Sequence, residues 1–144
     1  MKHGQDISHA ATVAVLRAAD DLRRGEQVLV TDGTESILVA AAESASPSVK
    51  AKYCLLTRNR AVSLNIAPED WPTVRVGVKS WMKASDLVAL ADPTLDLVNP
   101  MKGPFQRVAS RSPSLDQAAI TLLKIANLLP AAIIIDVSEQ EIHT

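Results

Sequence analysis

The sequence predicts an α/β (α+β) domain with a mixed β-sheet flanked by helices, and three observations carry that expectation. The first is a hairpin. Val28 to Val30 and Ile37 to Val39 stand on either side of Asp32-Gly33, and Asp-Gly between β-rich runs favours a tight turn because glycine accepts positive φ at no steric cost. The second is a helical stripe formed by Leu115, Ala118, Ala119, Leu122, Ala126 and Leu129, which recur near the period of an α-helix. The third is Ala131 to Val137, a run of strand length that is apolar except for Asp136 and directly follows Pro130. Such a run suits a strand buried on both faces.

The remaining elements follow in chain order. Ser8 is placed to cap a helix reaching about Arg24, with Ala11, Val15, Leu16, Ala19 and Leu22 on its apolar side and Gly25 as its stop. The hairpin spans Val28 to Ala42. Ser46-Pro47 has the order of a cap followed by a first helical residue. Tyr53 to Thr57 reads as a buried strand and Arg58 to Leu64 as a short helix, followed by a loop from Pro68 to Pro72. From Thr73 to Val78 the valines alternate with Thr73, Arg75 and Gly77, which predicts a strand with one polar face. Ser85 is placed to cap a helix of Asp86 to Ala91 closed by Asp92-Pro93, and a polar connection runs through Asn99-Pro100 to Pro104. A strand is expected at Phe105 to Ala109, and Ser114 and Pro130 bracket the last helix.

Composition narrows the function classes. At 144 residues the chain is expected to form one domain, with flexible ends at 1–7 and 138–144. Hydrophobic residues make up 47% and aromatics only 3%, so the core is built from Ala, Val, Leu and Ile. A net charge of −1 without a basic run points away from nucleic acid and anionic membranes. No apolar run approaches the roughly 20 residues of a membrane span, and the N-terminus lacks a signal-peptide apolar region. A cytoplasmic protein is expected. The single Cys54 leaves neither an internal disulfide nor a multi-cysteine zinc cluster.

Candidate chemistry is sparse. His3, His9 and His143 are not spaced with a cysteine or carboxylate as a metal site needs, so they read as surface or terminal residues. Cys54 lies in an apolar strand, the setting of a structural thiol rather than a reactive one. Neither common glycine-rich phosphate loop is present. Arg58, Arg60, Lys79 and Lys83 read as a solvated polar face, and Trp71 and Trp81 as packing at the core edge or an interface.

The order of several segments resembles one known family. Leu22-Arg23-Arg24-Gly25 before Val28-Leu29-Val30 is similar to its opening helix and strand, and Leu38 to Glu43 to its Leu-Ile-x-Ala-Ala-Glu strand. Leu55 to Ala61 followed by Leu64 resembles Ala-Leu-Thr-x-x-Arg-Ala-x-x-Leu, and Leu90-Ala91-Asp92-Pro93 matches Leu-Ala-Asp-Pro. Val98-Asn99-Pro100 stands where the family has Val-Arg-Pro-Gly-His, and Ala118 to Val137 resembles its last helix and strand, with Asp136 as a terminal acid. The family is 3,4-dihydroxy-2-butanone 4-phosphate synthase. The resemblance implies an α/β fold, a homodimer, and Mg²⁺-dependent conversion of ribulose 5-phosphate.

The family's catalytic residues are not carried over. Its first hairpin bears the acidic run Asp-Asp-Glu-Asp-Arg-Glu-Asn-Glu-Gly-Asp, where this chain has only Asp32, Thr34 and Glu35. Its metal histidine lies in Gly-His-Thr-Glu, where this chain has Ser114, Leu115, Asp116 and Gln117. Leucine neither ligates a metal nor carries a proton. Asn99 and Lys102 replace the arginine and histidine of the Arg-Pro-Gly-His motif. Both expected Mg²⁺ ligands are therefore absent, so no cofactor is expected, and enediol chemistry needs a hard cation and proton carriers. Asp32, Lys102 and Asp116 remain as candidates for a vestigial pocket.

The segments Ala89 to Thr94 and Ile125 to Ala132 are similar to a degenerate synthase-like domain that precedes GTP cyclohydrolase II in some alphaproteobacterial proteins. The cyclohydrolase needs a three-cysteine zinc site, which one cysteine does not supply. Three functions follow as alternatives. The chain is a non-catalytic domain serving dimerisation, stability or regulation beside GTP cyclohydrolase II, as a partner or an attached C-terminal domain. It is instead an active Mg²⁺ enzyme on ribulose 5-phosphate or another sugar phosphate, with relocated residues. Or it is a small-ligand sensor.

Overall fold

A computed structural model of the chain describes residues 14–32, 34–44, 50–66, 71–97, 105–110 and 112–135. Helix α1 covers 14–23, and the strands are β1 (Val28–Thr31), β2 (Ser36–Ala41), β3 (Ala51–Thr57), β4 (Thr73–Gly77), β5 (Arg107–Val108) and β6 (Ala131–Ile135). Helices α2 (Arg58–Ser63), α3 (Ala84–Ala91) and α4 (Pro113–Ile125) complete the frame. The strands form a single six-stranded sheet in the order β1-β2-β6-β3-β4-β5. The expected α/β class holds. The sheet is not mixed in strand direction, however, because all of its pairings are antiparallel.

Strand alternation sorts the core into two layers. Ile37, Val39 and Ala41 of β2, Leu55 of β3 and Ala132 and Ile134 of β6 pack beneath α1 and α4. Ala40, Cys54, Leu56, Val74, Val76, Ala131, Ile133 and Ile135 pack on the opposite face against α2 and α3. Successive strand residues point to opposite faces, so a strand with helices on both sides must be apolar at every position. The central strand β6, Ala-Ala-Ile-Ile-Ile, is buried throughout. A register shift between Ala51 and Tyr53 lets Ala51 join the α2/α3 face although Tyr53 joins the other.

The helix ends share one device. Gly25, Asn65 and Asn127 adopt φ of 79°, 60° and 60°. Each is followed by a backbone N–H reaching back to close the last turn: Glu26 to Asp21, Ile66 to Ala61, and Leu128 to Leu123. That left-handed terminus satisfies carbonyls which otherwise lack helical partners. A Cβ on Gly25 would lie 3.0 Å from the Ser44 carbonyl oxygen, a second reason for glycine there.

Several boundaries differ from the sequence expectation. Helix α4 ends at Ile125, two residues before the left-handed Asn127, rather than running to Pro130, and its cap position is Ser112 rather than Ser114, with Pro113 as first helical residue. Its buried stripe contains Ile120 and Leu123, whereas Ala118 is exposed. Lys83, not Ser85, precedes α3, and its N–H is held by the Asp86 carboxylate at 2.8 Å. In α1, Leu16 is 54% exposed rather than part of the core. Strand β5 has two residues rather than five. Ser8, the Ser46-Pro47 segment, the Asn99-Pro100 connection and the chain ends lie outside the described residues.

Arg60 is buried rather than part of a solvated face. Its Nε donates to the Leu90 carbonyl at 2.7 Å, its Nη2 to the Ala89 carbonyl at 3.0 Å, and its guanidinium grips the Asp96 carboxylate at 2.7 and 2.8 Å. It thereby ties α2 to the C-terminal end of α3. The hydrogen bonds from Arg60 hold the Asp96 carboxyl below its usual value of 3.8.

Truncating the fully buried Ile133 to alanine should cost about 2–5 kcal/mol by lost burial and a residual cavity, read as a lower urea midpoint. Because the folded Asp96 carboxyl titrates below its unfolded value, its stabilisation is present above pH 3.8 and fades as pH falls through the lower folded value. The stability gap between wild type and Asp96→Asn should therefore close below about pH 4 in unfolding curves taken across pH.

Candidate functional site

The hairpin tip is a compact turn held by one carboxylate. Asp32 Oδ1 accepts from the Glu35 N–H at 2.8 Å, the Thr34 N–H at 2.9 Å and the Thr34 hydroxyl at 2.8 Å. The Asp32 N–H donates to the Glu35 carbonyl, and so does the Thr31 hydroxyl. These bonds, the Glu35 amide foremost, hold the Asp32 carboxyl below the usual range. The side chain is exposed but occupied in shaping the turn.

The other sequence candidates lie apart. Asp116 is fully buried in the first turn of α4 and forms a two-pronged ion pair with Arg75 of β4, at 2.8 Å from Nε and 2.6 Å from Nη2. The Tyr53 ring lies over the Arg75 guanidinium, 5.3 Å from the ring centroid. The polar face expected for β4 thus faces the core, with its arginine neutralised there by Asp116. Leu115 is 3% exposed in the α1/α4 layer. Lys102 lies outside the described residues.

A Mg²⁺ ion does not fit these residues. The position that the resemblance gives to the metal histidine is a core leucine. The carboxylate beside it is saturated by an arginine, and that of the hairpin is engaged by its own turn. Among the described residues no group of three His, Cys, Asp or Glu side chains is arranged to hold a metal ion. Cys54 is fully buried, and desolvation pushes its thiol up to about 12, the behaviour of a structural cysteine.

An open concavity lies elsewhere among the described residues. A cleft of about 570 Å³ is cut between α4 and the ends of β3 and β4. Thr57 and Thr73, directly paired across the two strands, line it together with Arg58 and Asn59. Gln117, Thr121 and Lys124 of α4 line it as well, and Ile120, Pro72 and Pro130 supply apolar wall. The sheet register puts Leu56 beside Ala131 and Ala132 beside Ala41, whereas Ser36 and Thr31 pair at the far end of β2. The hairpin tip with Asp32 is therefore at the opposite end of the sheet from the cleft. Among the polar residues of this cleft, the sequence drew notice to Arg58, as part of a polar face, and to Gln117, at the glutamate position of the Gly-His-Thr-Glu comparison. The available signal was the polar flank 117, 121, 124 beside the buried stripe of α4.

Asp116→Ala should destabilise the protein by about 3–5 kcal/mol, because it strands a buried guanidinium. Replacing both partners, Arg75→Met with Asp116→Leu, should recover most of that loss. Urea unfolding of the two single variants and the pair measures the coupling.

No family model matches the chain. In an alignment 138 positions long that covers 89% of the chain, it is 32% identical to GTP cyclohydrolase-2 of Azospirillum brasilense, and it spans only 36% of that protein. A two-domain 3,4-dihydroxy-2-butanone 4-phosphate synthase from A. baumannii is similar in structure, with a TM-score of 0.60 at 19% identity, over 88% of this chain and 48% of that one. The corresponding synthase of Candida albicans has a TM-score of 0.59 at 18% identity, over 88% and 81% of the two chains. No helix among the described residues is long and apolar enough to cross a membrane. The chain thus has the fold of 3,4-dihydroxy-2-butanone 4-phosphate synthase, carried by a sequence related to GTP cyclohydrolase-2.

Proposed function

We propose that the chain is a catalytically degenerate synthase-like domain of riboflavin biosynthesis. It acts as a structural, dimerising or regulatory unit beside GTP cyclohydrolase II in the cytoplasm. The observation that carries this reading is Leu115. At the position that the resemblance assigns to a metal-binding histidine, this leucine is packed in the core at 3% exposure. The short hairpin agrees independently, since the Asp32 carboxylate is engaged in its own turn. Sequence relatedness to part of a GTP cyclohydrolase-2, with the synthase fold over most of the chain, supports the association with that chemistry.

The direct test is incubation with ribulose 5-phosphate and Mg²⁺, following release of formate and the four-carbon phosphate. No product above the protein-free control is expected. Turnover that a chelator abolishes would overturn the reading in favour of an active Mg²⁺ enzyme with relocated residues. Sedimentation velocity tests the dimerising role, with a dimer expected across concentration and a monomer at high concentration counting against it.

A further inference from the structure

We draw no further inference here: the strongest candidate, the edge of the sheet at β1 with Leu29 half-exposed on it, carries nothing because nothing in the structure shows what covers it.

Discussion

Everything in the fold leans on the double burial of β6. Ala131 to Ile135 form the third strand from one edge of the sheet and pair with β2 and β3 on either side. Alternate residues serve opposite layers, Ala132 and Ile134 under α1 and α4, Ala131, Ile133 and Ile135 against α2 and α3. No polar side chain is tolerable in such a strand without a buried partner, which is why its sequence has none. The strand enters from α4 through a turn that Asn127 makes possible, and Glu43 braces that turn by accepting the Leu129 N–H at 2.6 Å. The end of β2 and the start of β6 are thereby tied on the same side of the sheet.

Around this strand, two arginines fix the helices in place. Arg60 joins α2 to the end of α3, and Arg75 joins β4 to the start of α4. Each guanidinium is nearly enclosed, so each must be matched by carboxylate and carbonyl oxygens. A charged group in that setting adds little net stability compared with an apolar replacement, yet it is costly when its partner is lost. The pairs therefore work chiefly by specifying which elements meet. Arg60 lies in one sequence segment that resembles the synthase family and Leu90 in another, and their contact gives that shared spelling a physical basis.

Much of this was legible in the sequence. The Asp-Gly hairpin, the apolar strand β6, the short helix at Arg58 and the Gly25 stop all follow from local chemistry, and all are found. Local rules failed where a tertiary partner decided the outcome. Arg75 alternates with valines as a solvent-facing residue would, and only the facing Asp116 reveals that it is buried. Ser85 and Ser114 are good capping residues placed close to helix starts, but neither occupies the cap. Arg60 and Arg58 are two positions apart and look alike in a composition argument. One is buried against the end of α3, the other lines the cleft. The cleft itself joins residues near 57, 73, 117 and 124, a union that no spacing rule anticipates.

Leucine at position 115 bears on stability as well as on the proposed loss of chemistry. A metal-binding histidine needs a free ring nitrogen, a neighbouring ligand and a second hydrogen-bond partner to orient it. Leu115 needs only apolar neighbours, and complete burial of such a side chain contributes about 1.5–3 kcal/mol. Asp116, next to it, is held by Arg75 rather than left to bind a cation. On the proposed reading, the residues that would have been spent on the reaction are turned inward, where they fasten α4 to the sheet. A domain relieved of catalysis in this way is free to optimise packing at its former metal site.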